Sequence, residues 1–178
     1  MARDALHDDV EDPSFVGFVA ARSSSLQRSA WLLTGDQHLA EDLVQASLAA
    51  VWPRWSRVVR HGGDAEAYVR KVLYTTYVSW WRRRSWHEKP TAEVMERRSG
   101  VDVAAQVANR TALTAALAVL PPRQRAAVVL RYYDDLTIDQ AAEVLGISAG
   151  SVTTHVTRAL TALRESGLLE GMEGAHHG

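Results

Sequence analysis

Apolar residues recur along this chain at intervals of three and four positions, the spacing of an amphipathic helix. In the first half of the chain the pattern predicts helices over residues 13–33, 37–52 and 65–84. The tripeptide TGD at 34–36 supplies a stop for the first helix and an N-cap for the second, and Pro53 is expected to end the second. Because alternation with a period of two is scarce, we predict an all-α fold.

The second half of the chain shows the same helical spacing in shorter segments. A helix near 103–120 is stopped by a proline pair, whose second member suits the first turn of the next helix. The segment TIDQ at 137–140 matches a capping box that opens a short helix ending at Gly146. Ser148 is then expected to cap a last helix extending to residue 166. The order of helix, glycine turn and helix predicts a helix-turn-helix.

A change in composition separates the two halves. Residues 85–100 carry mixed charges, a proline, a glycine and few large apolar side chains, which favours an interdomain linker. We therefore predict two small helical domains, at 13–88 and 103–166, joined by a flexible linker at 89–102. The tail at 167–178 is predicted to be disordered.

The chain of 178 residues has a formal net charge of −1, which by itself argues against a nucleic-acid partner. The charge is not evenly spread, however. It is −4 for residues 1–12, −1 for 13–52, +6 for 53–89, +1 for 90–136 and −3 for 137–178. The near-neutral total therefore hides one strongly basic segment.

Composition and motifs exclude several kinds of site. The chain has no cysteine, which excludes disulfides, a thiolate nucleophile and Cys-ligated metals. Glu41 and Asp42 lie about 100° apart on a helix and do not face one site, so an acid/base pair is not expected. His38, His155 and the pair at 176–177 lack the further ligands that a metal site needs. We predict no metal and no cofactor.

The N-terminal segment MARDALHDDVED is acidic, where a signal peptide would be basic and then apolar. The longest apolar stretch is also far too short for a membrane span. These features predict a cytoplasmic protein without membrane insertion.

The last predicted helix has two distinct faces. Val152, Val156 and Ala159 fall on one face, while small hydroxyl side chains and Arg158 fall on the other. Such a helix, following a capped helix and a glycine turn, fits the major groove of duplex DNA. A plain αα-hairpin with a solvated polar face is the alternative. Because the segment has a charge of −3, its affinity for DNA alone should be low, and a second anchor is expected.

The basic segment 53–89 interleaves cations with aromatic side chains, a pattern typical of proteins that stack unpaired bases. We therefore predict a site for single-stranded DNA on the helix 65–84. Aromatics at helical spacing also build cores, and we expect about half of these to be buried. The arginines at 82–84 could equally be a solvated helix end.

Three stretches resemble the extracytoplasmic-function sigma factors of the sigma-70 family, close to the SigE-like subgroup. They are LLTGDQHLAEDLVQASL, AYVRKVLYTTYVSWWRRR and LPPRQRAAVVLRYYDDLTIDQAAEVLGISAGSVTTHVTRALTALR, in the order and spacing of the family. The resemblance implies that residues 13–88 are sigma region 2 and residues 103–166 are sigma region 4. It also implies a non-enzymatic subunit of core RNA polymerase that binds promoter DNA as duplex and as melted single strand, with an anti-sigma factor as a possible partner.

The resemblance also implies three sets of site residues. Polymerase contact is expected from Asp42, Leu43, Val44 and Gln45. Contact with the minus-ten element is expected from Arg60, His61, Asp64, Tyr74, Thr75, Tyr77, Trp81, Arg82, Arg83 and Arg84. Contact with the minus-thirty-five element is expected from Ser148, Ser151, Thr153, Thr154, His155 and Arg158.

The sequence departs from the family at two of these positions. Thr75 stands where many relatives have Asn, and Thr153 stands where Lys is common. Two other functions remain open from the residues alone. One is a LuxR-like helix-turn-helix regulator that acts without being a polymerase subunit, and the other is a helical adaptor that binds only proteins.

Overall fold

The computed structural model describes residues 13–60, 64–87 and 106–167. Helices and their connections make up these ranges, as the all-α prediction requires. They are α1 Pro13–Thr34, α2 Gln37–Val51, a short 3-10 turn Trp52–Arg54, α3 Trp55–Arg60, α4 Ala65–His87, α5 Gln106–Ala118, α6 Pro122–Tyr132, α7 Ile138–Leu145 and α8 Ala149–Glu165. No helix within them is long and apolar enough to cross a membrane. The predicted linker 89–102 lies outside the described residues, as do residues 168–178 of the predicted tail.

The first turn forms as its residues predict. Gly35 has φ +70°, in the left-handed region where a glycine avoids the steric cost of a side chain. Asp36 then caps α2, because its carboxylate accepts a hydrogen bond of 2.9 Å from the Leu39 N–H. Pro53 ends α2 as expected, but the chain continues at once through the 3-10 turn into α3. A proline is tolerated in the first turn of a new helix, and the sequence pattern did not reveal that helix.

Helices α1 to α4 form a first helical unit, in which α2 packs against both α1 and α4. Its core contains large apolar side chains that are completely buried, among them Leu33, Leu43 and Leu73. Each such side chain contributes about 1.5–3 kcal/mol by its removal from water. Phe15 and Phe18 extend this core by packing at about 5 Å against the ring of Trp55.

Helices α6, α7 and α8 form the helix-turn-helix unit, and its local signals are confirmed. Thr137 and Gln140 make both hydrogen bonds of the capping box at the start of α7. Gly146 ends that helix in the left-handed conformation with φ +65°. Ser148 then caps α8 through a 3.1 Å hydrogen bond from the Ser151 N–H to its hydroxyl. The path of the backbone through the motif is therefore determined locally.

The two units pack against each other. Helix α4 contacts α6 and α7, while α1 contacts α5 and α6, and the buried side chains of both units form one continuous cluster. The expectation of two domains joined through a linker did not include this contact. It arises because α4 has apolar or aromatic side chains on more than one face, so α2 alone cannot cover it.

Candidate nucleic-acid interfaces

A basic groove lies between α3, the start of α4 and α7, with a volume of about 580 Å³. The first unit lines it with three cations, a carboxylate and an aromatic ring, and the second unit adds another carboxylate and an apolar side chain. The lining residues are Arg54, Arg57, Val58, Asp64, Ala67, Tyr68, Lys71, Glu143 and Val144. Cations beside a ring suit the backbone and bases of a single DNA strand.

The predicted residues around this groove have different local roles. Arg60 is exposed but donates a 3.0 Å hydrogen bond to the Ser56 carbonyl of its own helix. The Asp64 carboxylate accepts hydrogen bonds from the N–H groups of Glu66 and Ala67, so it caps the start of α4. His61 lies outside the described residues. Of the predicted residues from Arg60 to Asp64, Arg60 is therefore the described one that presents a cation to solvent.

Two of the predicted minus-ten residues are placed in the core. Tyr74 and Tyr77 are completely buried, so neither ring can stack on a base in this conformation. Tyr74 faces the second unit through its hydrogen bond to Asp134, and Tyr77 lies near Arg125 of α6, so contact of either ring with the minus-ten element stays a prediction. Burial raises the pKa of Tyr77 to about 12, which keeps its hydroxyl neutral at physiological pH.

Thr75 stands on the exposed side of α4. Its hydroxyl donates to the Lys71 and Val72 carbonyls at 2.8 and 3.1 Å, so its hydrogen is directed along its own helix. The threonine can still accept a hydrogen bond, but it lacks the amide donor that Asn would offer at this position.

The C-terminal part of α4 forms a second concave site of about 270 Å³, which we call the tryptophan pocket. It is lined by Thr34, Leu39, Tyr77, Trp80, Trp81, Arg83 and Arg84. The guanidinium carbon of Arg84 lies 5.8 Å from the centroid of the half-buried Trp81 ring, within the range of a cation–π contact. Arg82, Arg83 and Arg84 are all exposed, so this end of α4 has both the ring and the positive charge that a nucleic acid would need.

Helix α2 has the predicted polymerase-binding residues on two sides. Asp42 and Gln45 are exposed, whereas Leu43 and Val44 are buried in the first unit. Leu43 and Val44 are packed in the core of the first unit, and their predicted contact with a partner stays a prediction. Asp42 and Gln45 are the two of the four that can reach a partner.

The predicted duplex-reading face of α8 is open to solvent. Ser148, Ser151, Thr153, Thr154 and Arg158 are exposed, while Val152 and Val156 on the opposite side are buried. The hydroxyls of Thr153 and Thr154 donate to carbonyls one turn earlier, which holds them close to the helix surface. Small side chains held in this way allow close approach to a major groove.

His155 sits partly buried beside this face. Burial lowers its pKa, and the positive charges of Arg123 and Arg158 lower it further. Arg123 belongs to α6 and was not identified from the sequence, because the helix-turn-helix pattern does not include it. The structure thus adds Arg123 as a second cation, besides Arg158, near His155.

A further set of polar residues joins the two units and was also missed from the sequence. Asp134, in the turn after α6, accepts hydrogen bonds from Ser29 and Tyr74 of the first unit. Arg125 of α6 donates a 2.7 Å hydrogen bond to the Leu33 carbonyl at the end of α1. These partners are too far apart in the sequence for any local pattern to reveal them.

The described residues form an all-helical structure with a capped helix-turn-helix and a separate basic aromatic helix, a combination typical of DNA-binding transcription proteins. Comparison with family models narrows this class, because residues 110–163 match the model described as sigma-70, region 4. The RNA polymerase sigma-E factor of Streptomyces coelicolor is 39% identical over 151 residues, which is 85% of this chain and 84% of that protein. The chain belongs to the sigma-70 family, in its extracytoplasmic-function group.

Other relatives and solved structures agree with this assignment. The extracytoplasmic-function sigma factor SigE of Mycolicibacterium smegmatis is 29% identical over 180 residues, covering 91% of this chain and 65% of that protein. The sigma factor RpoE of Bartonella quintana, solved with the anti-sigma factor NepR, superposes with a TM-score of 0.70 at 24% identity, over 88% of this chain and 97% of that chain. CnrH, solved with the cytosolic domain of CnrY, superposes with a TM-score of 0.62 at 20% identity, with 89% of each chain covered. The last two comparisons show a shared fold.

Proposed function

We propose that this chain is a sigma subunit that binds core RNA polymerase and directs it to specific promoters. It has no catalytic role of its own, since the polymerase forms the RNA. The open face of α8 reads the minus-thirty-five element as duplex, and the basic groove and tryptophan pocket hold the melted minus-ten strand. Such a protein acts on the chromosome and is therefore cytoplasmic.

The observation that carries this proposal is the exposed face of α8 inside a region 4 match at 110–163. The division into region 2 at 13–88, linker at 89–102 and region 4 at 103–166 is part of the proposal. Helix α2 supplies the polymerase contact through the exposed Asp42 and Gln45. The LuxR-like alternative is not favoured, because the 151 residues shared with the Streptomyces protein extend well beyond a helix-turn-helix.

An anti-sigma factor is a further partner in this proposal. The RpoE structure was solved as a complex with the anti-sigma factor NepR, and RpoE shares its fold with this chain. The surfaces that such a partner would compete for are the basic groove and the outer face of α2.

Run-off transcription tests the proposal. Core RNA polymerase is mixed with the purified chain and with genomic DNA fragments, and transcripts from specific start sites are expected only when the chain is present. Asp42→Ala should reduce both co-purification with core polymerase and transcription, whereas Gln37→Ala, an exposed change on the same helix, should leave both unchanged. Absence of specific transcripts with the wild-type chain would overturn the proposed function.

A further inference from the structure

We propose that residues 1–12, which we call the acidic segment, dock in the basic groove of their own chain and compete there with a single DNA strand. The proposal rests on the proposed function, because that function assigns the groove to the melted strand. It goes further by naming a second occupant of the groove, and with it a regulation of access to the site.

The groove offers apolar and cationic side chains together. Val58 and Tyr68 are half-buried, so their apolar surface is only partly covered. The side chains of Arg54, Arg57 and Lys71 line the same groove and are exposed. A peptide that carries both apolar side chains and carboxylates matches such a surface, because it buries apolar area while its charges are attracted to the cations.

Two carboxylates already line the groove and decide where an acidic occupant fits. The Asp64 carboxylate accepts the N–H groups of Glu66 and Ala67 at 3.0 and 3.1 Å, so it is engaged at the start of α4. Glu143 of α7 is exposed and would repel further negative charge. The attraction is therefore concentrated on the α3 side of the groove, where Arg54 and Arg57 lie one turn apart.

The acidic segment has the complementary chemistry. Its net charge is −4, from five carboxylates and one arginine, whereas residues 53–89 have a net charge of +6. Leu6 and Val10 add apolar side chains four positions apart. The carboxylates are Asp4, Asp8, Asp9, Glu11 and Asp12. Both the sign of the charge and the mixture with apolar residues therefore suit the groove.

The acidic segment joins the described structure beside the groove. It ends where α1 begins, at Pro13, and the ring of Phe15 lies 5.0 Å from the ring of Trp55. Trp55 directly follows Arg54, which lines the groove. Twelve residues span about 18 Å as a helix and up to about 40 Å when extended, so the acidic segment can reach the groove in either form.

Covalent attachment makes a weak contact sufficient. A short tether holds its end at an effective concentration in the millimolar range, so the acidic segment needs only modest affinity to occupy the groove. While it does so, the apparent dissociation constant of a DNA strand equals the intrinsic value divided by the unoccupied fraction. The acidic segment thus lowers the affinity of the free chain for single strands that no polymerase presents to it.

Disulfide formation tests the place of docking in the full chain, which has no native cysteine. Ala5→Cys is combined with Ala67→Cys, which lines the groove, or with Ala49→Cys, an exposed position of α2. Ala49 lies three positions before Trp52, whose ring is 4.8 Å from that of Phe15, so both partner positions are near the start of α1. We expect the disulfide within one chain to form about tenfold faster with Ala67→Cys, and a short single strand of DNA to slow it.

Fluorescence anisotropy of the same DNA strand tests the competition at one fixed salt concentration. Leu6→Ser with Val10→Ser keeps every charge of the acidic segment but removes its apolar contacts, and should tighten strand binding by about fivefold as the groove is vacated. Deletion of residues 2–12 should tighten it at least as much. Glu41→Gln with Glu165→Gln removes two exposed negative charges elsewhere and should stay within about twofold of the wild type.

Equal rates of disulfide formation at the two partner positions would overturn docking in the groove. Faster disulfide formation between two chains than within one would overturn it in favour of a second copy as the occupant. Tighter binding after the deletion but not in Leu6→Ser with Val10→Ser would reduce the effect to long-range charge and also overturn docking. Absence of promoter-specific transcripts with the wild-type chain would instead contradict the proposed function, so the two failures are distinguishable.

Discussion

Helices α4 and α8 carry the two predicted DNA contacts, yet their surroundings are opposite. On α8 the polar face is exposed and the apolar face is packed against its own unit. On α4 the two tyrosines that were expected to meet bases, Tyr74 and Tyr77, are buried beneath the second unit. The predicted duplex-reading surface of α8 is therefore exposed, whereas the second unit covers the rings of Tyr74 and Tyr77 on α4.

The two helices also differ in the charge that surrounds them. The basic groove and the C-terminal part of α4 concentrate cations, while residues 137–178 around α8 have a charge of −3. Phosphate contacts supply a large share of the affinity of a DNA-binding protein, so we expect α8 to bind DNA more weakly than the basic surfaces of the first unit. Polymerase can join two such contacts on one promoter and so raise their effective concentration. A free chain of this design should bind promoters poorly.

The largest effect is expected for Arg125→Ala, which removes a buried polar contact between the two units. The buried guanidinium donates to the carbonyls of Leu33, Ala118 and Leu120, at the ends of α1 and α5. Its removal leaves buried acceptors unpaired and should lower the free energy of unfolding by about 3 kcal/mol, measured by urea denaturation. Arg123→Ala, an exposed change two residues earlier, should stay within about 0.5 kcal/mol of the wild type. Equal losses in the two variants would contradict this role of Arg125.

The next effect concerns the tryptophan pocket. Trp81→Ala removes the ring over which Arg84 lies and should weaken binding of a single DNA strand by about tenfold, since stacking contributes about 1–3 kcal/mol per base. Fluorescence anisotropy measures the change. Trp52→Ala removes an exposed tryptophan of the same unit that lies outside the pocket, and strand affinity should be unchanged. An equal loss in Trp52→Ala would show that the pocket is not the stacking site.

Both helices could be predicted from the sequence, but only for α8 could the buried and exposed faces be predicted as well. The capping box of Thr137 and Gln140, the left-handed Gly146 and the Ser148 cap all act within a few residues, so local patterns reveal them. Helices α7 and α8 and the turn between them were therefore predicted from the sequence. The polar and apolar faces of α8 also follow from helical spacing alone.

Burial of α4 depends on contacts that are distant in the chain. Ser29 and Asp134 are 105 positions apart, and Leu33 and Arg125 are 92 positions apart. Aromatic residues on a basic helix are equally suited to a core and to stacking on bases, and only the position of the second unit decides between these roles. Hence Tyr74 and Tyr77 were predicted as DNA contacts although they belong to the core.

A smaller effect is expected on the open helix. Arg158→Ala removes one exposed cation from the duplex-reading face and should lower transcription from promoters with a minus-thirty-five element by about fivefold. Folding stability should not change, because the side chain is exposed. Arg164→Ala, also exposed but in the last turn of α8, is the matched control and should leave transcription unchanged. Unchanged transcription in Arg158→Ala would remove this residue from promoter reading.

The smallest effect is expected in the pH dependence of the melting temperature, which reports the surroundings of His155 on α8. Burial, followed by the charges of Arg123 and Arg158, lowers the pKa of His155 from its ordinary 6.5. Between the lowered value and 6.5 the unfolded chain binds more protons than the folded one, so stability is lost as the pH falls through this window and regained as it rises. The melting temperature should therefore decrease between about pH 7.5 and about pH 5.5.

His155→Gln should reduce this decrease, while His38→Gln, at an exposed position of α2, should retain the wild-type slope. Duplex promoter DNA adds a test of position, because phosphates near Arg123 and Arg158 would oppose the positive charges that disfavour protonation of His155. The decrease should then be smaller in the DNA-bound holoenzyme than in the free chain. Equal slopes in His155→Gln and His38→Gln would show that Arg123 and Arg158 do not act on the protonation of His155.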